Sequence, residues 1–205
     1  MSAYAGIVLC GGQSRRMGRP KLLLPFGAEV MLARVVRLLG EAVEPVIVVA
    51  GIGQELPELP PEIAVVHDRR PNRGPLEGLR AGLHALIDQA DAAFVTACDV
   101  PLLRPEFVRR MVELSVGHEI TVAQKDGFDH PLAAVYRVAV LPHVEAFLAA
   151  GRLRPAFLFD AVTTRRVRKH ELIDVDPGLH SLANVNSPAA YRAALAAAGL
   201  QGPPI

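Results

Sequence analysis

Cysteine is scarce in this chain of 205 residues: only Cys10 and Cys98 could pair, so a disulfide framework is excluded. A cytoplasmic setting is the expectation that follows. Long apolar runs are missing too, since no stretch approaches the roughly 20 residues that span a bilayer. The first apolar run, Ala5 to Leu9, ends in glycines rather than in a small-residue cleavage site, so no secretory signal is expected. An excess of either charge is also lacking: 22 Lys and Arg against 21 Asp and Glu leave a formal net charge of +1. General nucleic-acid binders carry a basic surplus, so that class drops out and any positive field has to be local. The seven histidines show neither H-E-x-x-H nor a clustered zinc spacing. No internal repeat, low-complexity block or flexible linker divides the chain.

What remains is the composition of a soluble globular protein, 51% hydrophobic and 21% charged. Its length suits one α/β domain with a good core. Ala5–Leu9 and Val46–Ala50 are uninterrupted apolar runs and read as buried strands; Ile63–Val66 is a shorter strand and Ala92–Ala97 a fourth. Helices are predicted through Met31–Leu39, from Pro75 to Leu86 and from Pro105, with proline suited to the first turn. Gly78 and Gly82 lie four apart, which lets the second helix approach another backbone closely. Strands alternating with helices at this spacing indicate a mostly parallel central sheet in a three-layer, Rossmann-like α/β fold. After Gly117 the rhythm changes. Ile120–Ala123 and Leu132–Tyr136 read as strands joined by a polar segment, then a helix through Leu141–Leu148, an extended Thr163–Val167 and an alanine-rich helix from Pro188. One domain over 1–205 is expected, with about 1–116 forming one half and about 117–198 the other.

The segment after the first strand, Leu9-Cys-Gly-Gly-Gln-Ser-Arg-Arg-Met-Gly-Arg-Pro-Lys21, sits where ligands bind in an open parallel sheet. Gly11 and Gly12 lack side chains, so backbone N–H groups can approach a base or a phosphate. Arg15, Arg16 and Lys21 put three cations in one loop, as phosphoryl transfer requires. It is neither a P-loop, lacking G-K-S/T, nor the dinucleotide G-x-G-x-x-G. Taken alone, a glycine turn with solvated charges also fits it. Asp99 follows a buried strand, where one carboxylate could hold Mg²⁺ together with phosphates and waters, or could simply cap a turn before Pro101.

The loop closely resembles the signature L-A/C-A/G-G-x-S/A-x-R-M-G-x-x-K of nucleotidyltransferases that activate sugars, isoprenoid precursors or molybdopterin. Leu9, Gly11, Gly12, Arg16, Met17, Gly18 and Lys21 match it. Cys98-Asp-Val-Pro-Leu102 resembles the C-D-x-P-x magnesium motif of these enzymes, and Gly74-Pro-Leu-Glu-Gly-Leu79 the G-P-L-x-G-L/M motif of the molybdenum cofactor guanylyltransferases. The resemblance implies a nucleotide site of Leu9, Cys10, Gly11, Gly12, Lys21, Asp68 and Asp99. It implies Arg16, Lys21 and Asp99 as catalytic, with Mg²⁺ on Asp99.

Two later stretches are similar to the same family. Asp129-His-Pro-Leu132, with Ala134 and Arg137, resembles H-P-x-x-A-x-x-R, and Leu182-Ala-Asn-Val-Asn-Ser-Pro188 resembles F-x-N-V/I-N-T/S-P. They imply His130, Asn184 and Asn186 on the acceptor side, although by position the asparagines could also cap the Pro188 helix, with Ser187 the better-placed cap. The resemblance runs from Gly6 to about Leu195. Departures are Ala50-Gly51, where many members carry an asparagine, and Gly151-Arg-Leu-Arg-Pro155, a loose match to G-x-R-R that leaves Arg152 and Arg154 as acceptor candidates. The substrates implied are GTP and molybdopterin, with transient contact to molybdoenzyme maturation proteins and none to nucleic acid or membrane. Leu9-Cys-Gly-Gly12 favours guanine over cytosine. Cytidylyl transfer to molybdopterin, transfer to a sugar phosphate, or non-catalytic nucleotide binding on the same fold are the competing readings.

Overall fold

The computed structural model describes residues 4–11, 20–68 and 73–201. The chain opens with β1 (Tyr4–Leu9), a small hairpin of β2 (Pro25–Phe26) and β3 (Glu29–Val30), and α1 (Met31–Gly40). Then come β4 (Val46–Ala50), β5 (Ala64–His67), α2 (Gly74–Ala85), β6 (Ala92–Ala97) and α3 (Pro105–Glu113). The second half supplies β7 (Ile120–Lys125), β8 (Phe128–Arg137), α4 (Leu141–Ala149), β9 (Thr164–Arg168) and α5 (Pro188–Ala197).

Seven strands form one sheet in the order β5-β4-β1-β6-β8-β7-β9. All neighbours pair parallel except β8, which runs antiparallel to both β6 and β7. From β1 the chain steps outward to β4 and β5, then returns to the other side of β1 as β6. The order therefore reverses between β1 and β6, and beyond their carboxyl ends lies the switch point at which open α/β sheets form a ligand crevice. Side chains alternate across each strand, so Ile7 and Val8 enter different cores. Val8, Val48 and Phe94 pack under α1 and α3 with Leu32, Val35 and Phe107. Ile7, Val49 and Val95 pack under α2 and α4 with Leu79, Leu83 and Val144. A third, smaller cluster joins Leu24, Phe26 and Met31 to Val185 and to Tyr191 and Leu195 of the last helix.

Gly78 and Gly82 do seat α2 closely, but on side chains of β1 rather than on another backbone: a Cβ on Gly78 would lie 3.3 Å from Leu9 Cδ2, and one on Gly82 would lie 2.8 Å from Ile7 Cγ2. The polar segment expected between β7 and β8 is instead a two-residue turn. Asp126 and Gly127 both take positive φ, 51° and 81°, the backbone that an Asp-Gly hairpin uses. Phe128, Asp129 and His130 are thereby drawn into β8, where Asp129 accepts from Gln124 Nε2 and from Arg166 Nε, each at 3.0 Å. The two-residue strands β2 and β3 carry too little pattern to be read from sequence. Among the described residues no helix is long and apolar enough to cross a membrane.

Candidate active site

Three strand ends meet at the crevice. Cys10 N–H donates to the Val49 carbonyl at 2.8 Å, Cys98 N–H to the Leu9 carbonyl at 3.1 Å, and Asp68 N–H to the Ala50 carbonyl at 3.0 Å. Each bond continues the ladder just past the strands, so Gly11, Asp68 and Asp99 emerge along one edge. Among the described residues, a Cβ built on Gly11 would come no closer to anything than 4.0 Å, from Asp68 Oδ2. Asp68 Oδ1 is buried with no partner among the described residues. Burial, and then the negative charge of Glu77, push the Asp68 carboxyl above its ordinary range, with His67 opposing. This is an acceptor with unused capacity at the mouth of the crevice.

Lys21 and Asp99 are 78 residues apart and in contact: Lys21 Nζ donates to Asp99 Oδ2 at 3.2 Å. Lys21 enters on a short 3-10 turn, Lys21–Leu23, anchored by buried Leu22. The Asp99 loop is held from α1, where Arg34 Nε donates to the Pro101 carbonyl at 2.7 Å. The other oxygen, Asp99 Oδ1, accepts from Asn184 Nδ2 at 2.8 Å, and Lys21 Nζ also donates to Asn186 Oδ1. Local alternation explains the pair of asparagines. Val185 is buried and donates its N–H to the Asp99 carbonyl at 2.8 Å, which turns the residues on either side toward the carboxylate. Ser187, not an asparagine, caps α5 by accepting from Ala190 N–H at 3.1 Å.

Sequence reasoning passed over the residues that hold this loop. Asp176 is fully buried, and its carboxylate accepts from His180 N–H at 3.0 Å and Ser181 N–H at 2.8 Å. Ser181 Oγ in turn accepts from Arg104 N–H at 3.0 Å, fastening the asparagine loop to the start of α3. Gln54 was also missed; it links the exits of β1 and β4. Neither belongs to a motif, so no sequence signal marked them.

His130 stands in β8 before Ala133, the last residue paired with β6, so its strand runs past the end of β6 at the Asp99 edge. Burial, reinforced by Lys125, lowers its imidazole below the ordinary value, while Asp129 and Asp126 pull the other way. The bonds that tie Asp99, Lys21 and the asparagines together do not include it. Arg152 is engaged elsewhere, its guanidinium 4.2 Å from the Phe157 ring centre and 4.6 Å from that of Phe147. Gly12 and Arg16, with Arg15, Met17 and Gly18, lie outside the described residues. Cys10 and Cys98 are free and buried. The Cys98 side chain and burial push the Cys10 thiol far up, keeping it protonated.

The cluster combines one carboxylate, the amide oxygen of Asn186, the amide N–H of Asn184 and an ammonium. Its oxygens are hard donors of the kind Mg²⁺ accepts, beside a cation suited to phosphate oxygens. Among the described residues no group of three His, Cys, Asp or Glu could hold a metal. A cation here would therefore take Asp99 as its one carboxylate and depend on a bound phosphate for further oxygens.

The chain matches the family model of the MobA-like NTP transferase domain over residues 6–165. It is 39% identical over 191 residues to a probable molybdenum cofactor guanylyltransferase of Mycobacterium ulcerans (strain Agy99), covering 91% of this chain and 90% of that protein. A protein of the same description from Mycobacterium tuberculosis (strain ATCC 25618 / H37Rv) is 38% identical over 193 residues, covering 92% of each. The solved structure of molybdopterin-guanine dinucleotide biosynthesis protein A from Archaeoglobus fulgidus shares the fold with a TM-score of 0.79, over 95% of this chain and 98% of that one, at 18% identity.

Proposed function

The chain belongs to the MobA-like NTP transferase family, and from that footing we propose that it is a molybdenum cofactor guanylyltransferase, moving GMP from GTP to molybdopterin with release of pyrophosphate. The observation that carries this reading is the convergence of Lys21, Asp99, Asn184 and Asn186, from distant points of the chain, on one set of contacts at the sheet's switch point. In the reaction an oxygen of the acceptor phosphate bonds to the α-phosphorus of GTP as the bond to the bridging pyrophosphate oxygen breaks. A phosphate monoester has its second pKa near 6 and is largely dianionic at neutral pH, so the nucleophile needs no general base. What remains is to position two polyanions and to offset their repulsion.

Each residue then has a task. Lys21 would meet the phosphates. Asp99 would hold Mg²⁺, which when bound supplies positive charge to the phosphate oxygens. Gly11 leaves room for the nucleotide beside Asp68, whose carboxylate would accept an N–H or O–H from it. Asn184 and Asn186 are neutral and would bind acceptor oxygens without adding charge. His130 is assigned to the acceptor side. Two reduced, buried thiols fit a cytoplasmic enzyme.

The test is pyrophosphate release with molybdopterin and, in turn, GTP, CTP and ATP, with and without Mg²⁺. Release with GTP in the presence of Mg²⁺ is the expected result. Release with CTP alone would reassign the base, and release with none would mean a nucleotide binder rather than an enzyme.

A further inference from the structure

Beyond β4 the chain turns through Gly51 to Pro57, and one side chain there commits its whole amide to the backbone of two strand exits. Gln54 Oε1 accepts from Gly51 N–H at 2.8 Å, and Gln54 Nε2 donates to the Cys10 carbonyl at 2.9 Å. The first bond closes Gln54's own turn, together with Gln54 N–H donating to the Gly51 carbonyl at 3.1 Å. The second reaches the peptide that begins the glycine loop. Because Cys10 N–H is already held by Val49 at 2.8 Å, Cys10 is gripped on both sides.

This grip has a directional effect. In a trans peptide the carbonyl and the following N–H point opposite ways. Holding the Cys10 carbonyl on Gln54 therefore aims Gly11 N–H away from the Gln54 turn. The position a Gly11 side chain would occupy lies 4.0 Å from Asp68 Oδ2, and the other oxygen of that carboxylate has no partner among the described residues. An aimed amide donor and the Asp68 carboxylate thus stand side by side at the same edge of the sheet. We propose that Gln54 is a positioning residue for the nucleotide: without touching it, Gln54 holds the Cys10–Gly11 peptide in the orientation that receives it. The inference rests on the reading of this crevice as a nucleoside triphosphate site.

The two halves of the amide can be separated. Gln54→Leu removes both bonds. Gln54→Glu keeps the acceptor for Gly51 N–H but puts a carboxylate oxygen against the Cys10 carbonyl, and regains a donor only when protonated. The affinity of the intact protein for GTP is measured by calorimetry from pH 8 down to pH 5, each variant relative to wild type at the same pH. KM and kcat follow from pyrophosphate release. At pH 8 both variants should bind GTP about tenfold more weakly and show a matching rise in KM, with kcat within about twofold, because orientation of the loop serves ground state and transition state alike. As pH falls, the ratio to wild type should recover for Gln54→Glu and stay flat for Gln54→Leu.

Unchanged GTP affinity in both variants, or a Gln54→Glu defect that does not vary with pH, would overturn the role. If Gln54→Leu fails to fold, the isosteric Gln54→Glu decides alone. A wild-type protein that binds no GTP would instead overturn the nucleotide reading itself, which keeps the two failures distinct.

Discussion

Replacing Asp99 with Asn keeps the shape of the side chain and removes one negative charge from the centre of the cluster. Two contacts change: the 3.2 Å ion pair with Lys21 and the 2.8 Å bond from Asn184. At an effective dielectric constant of about 20, the bare attraction across that ion pair is about 5 kcal/mol. Both side chains keep some access to water, 19% for Lys21 and 13% for Asp99. Desolvation and side-chain ordering offset most of the attraction, leaving a net loss of about 1 kcal/mol. For a chain of this size that lowers Tm by about 2–4 °C. Turnover responds to a different quantity, the charge that gathers on the departing pyrophosphate. Removing one preorganised group that serves such charge costs about a hundredfold or more, about 2.7 kcal/mol. The assay is pyrophosphate release at saturating GTP, Mg²⁺ and molybdopterin, with thermal unfolding on the same sample. A folded Asp99→Asn enzyme that retains more than about a tenth of wild-type kcat would refute the reasoning. Lys21→Met should fall comparably, and because the two residues act through one another, the double variant should lose far less than the product of the two single losses.

Three other changes probe the frame of the site. Gly82→Ala gains about 1 kcal/mol of helix propensity, but its Cβ would press within 2.8 Å of the branched Ile7 Cγ2; the clash, about 1–3 kcal/mol, should prevail and lower the denaturation midpoint. Gly11→Ala meets nothing closer than 4.0 Å among the described residues, so Tm should hold while GTP affinity by calorimetry falls about tenfold or more; an unchanged preference for GTP over CTP would count against guanine selection by this glycine. Asp68→Asn removes a carboxylate whose ionised form burial and Glu77 disfavour. An acid with a raised folded pKa destabilises the fold where it is ionised and ceases to do so as pH falls through that value. The variant should therefore be more stable than wild type at pH 7, lose that advantage in acid, and bind GTP more weakly, as urea unfolding and calorimetry would show.

The strands β1, β4 and β6 were legible because β1 and β4 are unbroken apolar runs and β6 is interrupted only by Thr96, which in an α/β sequence is the mark of burial on both faces. The start of β8 was not, because Phe128-Asp-His130 carries the polar pattern of a loop. Its strand character comes from the Asp126-Gly127 turn and from cross-strand partners that only the folded sheet supplies. The meeting of Lys21, Asp99, Asn184 and Asn186 was readable because each stands in a spaced motif. Asp176, Ser181 and Gln54 carry no such mark. What they do depends on which backbone groups lie nearby in three dimensions, and polar residues in loops look alike until that is known.

The small third cluster sets a constraint on how this protein can vary. Phe26 and Tyr191 meet edge to face, with ring centres 6.5 Å apart, and the Tyr191 hydroxyl donates to the Pro25 carbonyl. The segment just after Lys21 and the helix just after Asn186 are in this way bolted together at a spot that holds neither of them. Drift in the packing of Tyr191 or Leu195 would shift the cation and the amide in concert. A change in the last helix that adapts the protein to a different acceptor would thus be felt by the cation assigned to the phosphates, so the two specificities evolve on one tether.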